Sequence, residues 1–149
     1  MKTILLSMSM LMLFACGTKK IAGDGTGQTI KMKTEKELKA SLGKSEMNSN
    51  PTRITGATIK GNKLILSISY SGGCKDHLFD LVGDQAISKS LPPQRTVRLI
   101  HTGEPDHCKA MILKELEFDI TELAYKQEKG SEIILNIEGW KEPVKYIFE

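Results

Sequence analysis

Two short segments hold all three histidines of the chain and two of its three cysteines: Ser71-Gly72-Gly73-Cys74-Lys75-Asp76-His77 and His101-Thr102-Gly103-Glu104-Pro105-Asp106-His107-Cys108. Side chains grouped in this way support two different chemistries. Two thiols can join as a disulfide, which closes a loop and withdraws both sulfurs from further reaction. Alternatively, Cys74, His77, His101 and Cys108 offer two sulfurs and two imidazole nitrogens, a donor set suited to zinc or copper. The C-x-x-H of Cys74 and His77 and the distant H-x6-C of His101 and Cys108 match no common finger spacing, so only their composition supports a metal. A third arrangement keeps the disulfide and uses His77, His101 and His107.

Each of these residues also has a purely structural reading. His101 shares the strand parity of Val97 and Leu99, which makes it a core-edge residue whose ring bonds a loop carbonyl. His77 opens a strand with Phe79 and Leu81 and reads the same way. Asp106, following Pro105, fits a turn cap that accepts backbone amides, and His107 reads as exposed. Enzyme templates fail: there is no G-x-S-x-G elbow, H-E-x-x-H, Walker loop or EF-hand pattern. Glu115, Glu117 and Asp119 share one strand face, but a solvated outer face accounts for them without paired-carboxylate catalysis. The expectation is a protein without enzymatic activity.

The remaining cysteine ends a different pattern. Residues 1–15 place the single cation Lys2 before an uncharged apolar run that closes on Ala15, a secretory signal too short to span a bilayer as a mature helix. Leu13-Phe14-Ala15-Cys16 resembles the lipobox of bacterial lipoproteins. That resemblance implies a type II signal peptide over residues 1–15, cleavage beside small side chains, and diacylation of the Cys16 thiol as a membrane anchor. Gly17 stands where Asp would mark inner-membrane retention, which implies the outer membrane. Thr18-Lys19-Lys20 is basic rather than an acidic surface-export tag, which implies the periplasmic face, and the two lysines read as part of a solvated tether. With Cys16 committed to lipid, Cys74 and Cys108 remain as an even pair in an oxidising compartment. A disulfide between them is the first expectation, and a zinc or copper site the alternative.

The elements that must position these residues follow from patterning. Residues 16–30 are rich in Gly, Thr and Lys and read as a flexible tether. Gly23-Asp24-Gly25-Thr26-Gly27 is no phosphate loop, because no strand precedes it and no Lys-Ser/Thr follows. Residues 31–52 read as a short helix and a connector: Thr34 is a cap candidate, Glu37 has capping-box spacing, and Leu38 and Leu42 are four apart.

Residues 53–149 carry a β signal. Within 63–70, Leu64, Leu66, Ile68 and Tyr70 alternate with polar residues, after a strand over 54–60 and the two-residue turn Gly61-Asn62. Further strands are predicted over 77–82, 95–101, 112–120, 132–138 and 143–148, with a helical turn over 125–129. About seven short strands without long amphipathic helices predict an all-β, antiparallel sandwich of immunoglobulin-like or Greek-key type, preceded by the short helix. Trp140 reads as a lid on the end of the core. A Cys74–Cys108 bond would pin the segment before the third strand to the one after the fourth, with Gly72-Gly73 permitting the approach.

Loss of the signal removes Lys2 from a formal net charge of +3, leaving about +2, and aromatic residues make up 5% of the chain. Neither favours nucleic acid as a partner. The expected partners are the membrane, through the lipid, and an envelope protein. The pattern S-G-G-C-x-x-H-x-F-x-L from Ser71 to Leu81, with H-x4-D-x-C and L-x-F-D-I-x-x-L after it, is similar to small uncharacterised lipoproteins of Bacteroidota. That resemblance implies no established activity.

Overall fold

The computed structural model describes residues 37–44 and 48–149. Cys16, Thr34 and the segments expected to be a signal sequence and a tether lie outside the described residues. The strands in chain order are β1 (Leu38–Lys39), β2 (Ser41–Gly43), β3 (Arg53–Lys60), β4 (Lys63–Gly72), β5 (His77–Asp84), β6 (Gln94–Gly103), β7 (Ala110–Asp119), β8 (Glu132–Ile137) and β9 (Val144–Ile147). Among the described residues a single 3-10 turn spans Thr121–Leu123. It replaces the helical turn expected over 125–129, because Leu123 is fully buried there while residues 125–129 are exposed.

Alternation builds the core. Leu64, Leu66 and Ile68 of β4 and Leu116 and Phe118 of β7 turn inward from one sheet. Leu81, Val97, Leu99, Ile133, Leu135 and Tyr146 meet them from the other. Each such side chain contributes roughly 1.5–3 kcal/mol on burial. The sheets run β1-β7-β4-β3 and β2-β5-β6-β8-β9. The β3–β4 hairpin turns at Gly61-Asn62 as expected, with Gly61 at φ 57°. Asn62 also anchors the chain end: its side chain accepts from the Tyr146 hydroxyl at 2.8 Å and from the Glu149 N–H at 3.0 Å.

Two further expectations are corrected. Sheets that are antiparallel throughout, as an immunoglobulin-like layout would have them, give way to mixed ones, because β1 runs parallel to β7, β2 to β5 and β6 to β8. A parallel pair needs a crossover, usually a helix. Between β6 and β8 the chain instead crosses to the other sheet, forms β7 there and returns, so the opposite layer serves as the crossover.

The expected helix is also replaced, over its described part, by the two short strands β1 and β2. Leu38 packs on the core with Ala40, which is 3% exposed, whereas Leu42 is 39% exposed, so the i, i+4 face of a helix is not formed. The segment passes from the edge of one sheet to the edge of the other. Leu38 pairs with Phe118 and Ser41 with Val82, and the Ala40 N–H donates to the Asp119 carbonyl at 2.8 Å. Those edges supply the hydrogen bonds that a helix would have made within itself.

Candidate functional site: a histidine and disulfide cluster at one end of the sandwich

The register of β5 against β6 sets the cluster. Phe79 lies opposite His101 and His77 opposite Gly103, so the two histidines are diagonal neighbours on the inward face. His77 Nδ1 is 2.8 Å from His101 Nε2. Tyr70 comes from the opposite sheet, its ring centroid 4.7 Å from that of His77 and 4.9 Å from that of His101. Phe79 stacks on His101 at 4.5 Å. Inside this aromatic box His101 is 2% exposed.

Hydrogen bonds extend the pair in both directions. At one end, His101 Nδ1 meets Thr52 Oγ1 at 2.7 Å. At the other, His77 Nε2 meets Asp106 Oδ2 at 3.2 Å. Oδ2 also accepts the N–H groups of Cys74 at 2.9 Å and Lys75 at 3.1 Å, while Oδ1 accepts that of Cys108 at 2.8 Å. With neutral rings the donors all point towards Asp106: His77 Nε2–H to the carboxylate, His101 Nε2–H to His77 Nδ1, and the Thr52 hydroxyl to His101 Nδ1. The connector is held here too, since Ser49 Oγ accepts the His101 N–H at 2.9 Å and the Asn50 N–H donates to the His101 carbonyl at 2.8 Å.

This geometry shifts two acidities. The amides of Cys108 and Cys74, with smaller help from His77 and Lys75, hold the Asp106 carboxyl well below the usual carboxylate range against the opposing effect of burial. Burial, and then the neighbouring His77, lower the affinity of His101 for a proton, opposed by the Pro51 and Asn50 backbone.

Cys74 and Cys108 are joined as a disulfide, their Cα atoms 5.8 Å apart across 34 residues of sequence. The bond ties the β4–β5 loop to the β6–β7 loop, as the cysteine parity predicted. Gly72 lets the strand end pass behind the cluster, because a Cβ there would sit 2.6 Å from His77 Nε2 and 3.0 Å from Asp106 Oδ2. An open cleft of about 340 Å³ borders the cluster, lined by Pro51, Ser71, Glu104 and Pro105 around His77, His101 and Asp106.

The site expectations thus divide. The disulfide forms, and Asp106 caps its own turn through the Cys108 amide while also reaching across to the other loop. The four-ligand zinc or copper set of Cys74, His77, His101 and Cys108 is corrected. Its sulfurs are bonded to each other, and the two His101 ring nitrogens face Thr52 and His77. His101 bonds those two side chains rather than a loop carbonyl. His107 is exposed, as expected, and takes no part in the hydrogen-bonded chain, so a three-histidine site is not assembled.

Thr52, Ser49 and Tyr70 were not among the sequence candidates. The only sequence signal for the wider role of Asp106 was its spacing from Cys108. With both nitrogens of both imidazoles bonded, the cluster is suited to clamping two loops and the connector onto one end of the core.

No protein-family model matches the chain, and no curated protein matches it. Among solved structures, the fold is similar to that of a NigD-like immunity protein from Bacteroides caccae, with a TM-score of 0.57 at 12% identity over 76% of this chain and 65% of that one. It is also similar to a toxin-related protein from Parabacteroides distasonis, with a TM-score of 0.50 at 19% identity over 75% of this chain and 61% of the other. The chain spans less than two thirds of the length of each of these two proteins. At such identities the likeness is one of fold: a small β-sandwich that this chain shares with proteins of Bacteroides and Parabacteroides.

Proposed function

We propose that this chain is an envelope lipoprotein, anchored by a lipid on Cys16 at the periplasmic face of the outer membrane, whose sandwich acts as a non-enzymatic binding or accessory module. The observation that carries the reading is the Cys74–Cys108 disulfide, because such bonds persist where thiols are oxidised. The lipobox-like Leu13-Phe14-Ala15-Cys16 agrees with that compartment. A binding role fits a cluster whose imidazole nitrogens are all committed to internal bonds. The similar fold of an immunity protein favours another protein as the partner over a small molecule.

The anchor is tested by metabolic labelling with an alkyne fatty acid, followed by fractionation of wild type and Cys16→Ala. Wild type should carry label and sediment with membranes, and the variant should lose the label and either stay unprocessed or appear in the soluble envelope fraction. A variant that is cleaved normally and still sediments with membranes would show that the lipid is not the anchor. Partner class is tested by cross-linking in intact cells: a discrete protein adduct supports the binding module, and turnover of ester, peptide or glycoside substrates by the purified protein would replace it.

A further inference from the structure

We propose that, once its disulfide is reduced, the same corner of the sandwich is a metal site of the zinc class, with Cys74 Sγ, Cys108 Sγ, an Asp106 carboxylate oxygen and His77 Nε2 as ligands. One ligand atom from each of Cys74, Asp106 and Cys108 lies within 4.8 Å of the others. His77 Nε2 stands beside this group, 3.2 Å from Asp106 Oδ2, and would enter it by moving towards the sulfurs. Ligand bonds to zinc run about 2.0–2.3 Å, so donor atoms around one tetrahedral ion stand up to roughly 4 Å apart. Forming the site requires the two sulfurs to part and His77 and Asp106 to close on them. Asp106 is already oriented for the role, because the three backbone amides fix its carboxylate, and Oδ1 receives only the Cys108 amide.

The rest of the cluster supplies what a metal-bound histidine needs behind it. Ligation through Nε2 places the His77 proton on Nδ1, which then donates across 2.8 Å to His101 Nε2. His101 in turn carries its proton on Nδ1 and donates to Thr52 Oγ1 at 2.7 Å, and the Thr52 hydroxyl has the Asn50 carbonyl as acceptor at 3.3 Å. The same contacts then run with every donor reversed. A hydrogen-bonded second ring that fixes tautomer and orientation is a common feature of metal-ligating histidines. This set differs from the one the sequence suggested: Asp106 replaces His101 as a ligand, and His101 becomes the positioning residue.

The chemistry balances with a dithiol reductant. It delivers two electrons and two protons to the Cys74–Cys108 bond and leaves as a disulfide, after which a divalent ion displaces the two thiol protons to solvent. The site stands on this geometry alone and does not depend on the lipid anchor or on a protein partner.

Cobalt(II) is the probe. The full mature protein in detergent, reduced by a phosphine without oxygen, is titrated with cobalt, beside the oxidised protein. One equivalent should bind the reduced form with a thiolate-to-cobalt charge-transfer band and the visible spectrum of a tetrahedral site, and zinc should displace it. The oxidised form should show neither feature. X-ray absorption of the zinc-loaded wild type should give two sulfur and two nitrogen or oxygen ligands, a readout that holds even if a variant fails to fold. His77→Gln should weaken cobalt binding by at least tenfold, and His101→Gln, which leaves all four ligands in place, by about tenfold. A sulfur-only first shell, a reduced protein without the charge-transfer band, or an affinity unchanged in His77→Gln would each overturn the proposal.

Discussion

His77 Nδ1 and His101 Nε2 are joined by a single hydrogen bond of 2.8 Å inside the box formed by Tyr70 and Phe79. One ring must present a lone pair to the other, so the two rings cannot both be imidazolium without losing the bond. This contact couples the packing of the sandwich end to acid.

Acid should therefore loosen the domain in two stages. Burial first, and His77 second, set the proton affinity of His101 below its ordinary value of 6.5. The unfolded chain takes up that proton near its ordinary value while the folded chain resists it, so this contribution is complete above that pH and declines as pH falls below it. Asp106, held below the ordinary carboxyl value of 3.8, adds a second decline as pH falls under that value. Urea midpoints across the acid range read both stages. His101→Gln should flatten the first and spare the second, and a wild-type midpoint that stays level through the first stage would contradict this account.

Gly72→Ala probes the close passage of the backbone. Its new methyl would lie 2.6 Å from His77 Nε2 and 3.0 Å from Asp106 Oδ2, so the ring or the strand end must shift. Overpacking of this kind costs about 1–3 kcal/mol. Chemical denaturation should show that loss, and imidazole proton resonances in the same sample should show a changed His77 bond to Asp106. A variant as stable as wild type would mean that the end of β4 is looser than its contacts indicate.

Replacing Cys74 and Cys108 together by Ser removes a link that closes 34 residues of sequence. The chain-entropy account assigns such a loop roughly 4 kcal/mol, and measured losses are typically about 2–4 kcal/mol. The two cysteine amides are also donors to Asp106. The loss should therefore be non-additive with Asp106→Asn in a double-mutant cycle. Additivity would show that the covalent bond and the carboxylate act independently.

Much of the fold was legible because strands announce themselves by period. In residues 63–68 buried side chains alternate with more accessible ones, and β4 contains the predicted stretch 63–70 and runs on to Gly72. The strands β1 and β2 carry too few residues to show a period of their own. Leu38 and Leu42 suit a helical face as well as a strand, and the distant edges of β7 and β5 decide between the two. The site was legible only in part for a similar reason. Cysteine parity pairs Cys74 with Cys108 from sequence, whereas contact between His77 and His101 depends on the β5–β6 register that sets Phe79 opposite His101. Thr52 comes from a polar connector whose composition resembles any solvated loop.

Arg95 supplies a test away from the cluster, on the inward face that it shares with Val97 and Leu99. It is 5% exposed, and its guanidinium is spread between two backbone carbonyls: Nε donates to Leu123 O at 3.1 Å and Nη1 to Asp84 O. Gly83 makes the room, since a Cβ there would fall 2.6 Å from Leu123 Cδ2 and 3.0 Å from Arg95 Cδ. The fork therefore closes the end of β5 onto the 3-10 turn. Arg95→Leu keeps apolar volume but leaves both carbonyls without a donor, at a cost of about 1–3 kcal/mol. Arg95→Lys should fail to restore the loss, because a single ammonium cannot reproduce a planar fork that serves two divergent acceptors. Thermal melts of the two variants separate geometry from charge. A lysine variant that melts with wild type would show that one buried cation is sufficient here, and that the fork adds nothing to the stability of this end of the sheet.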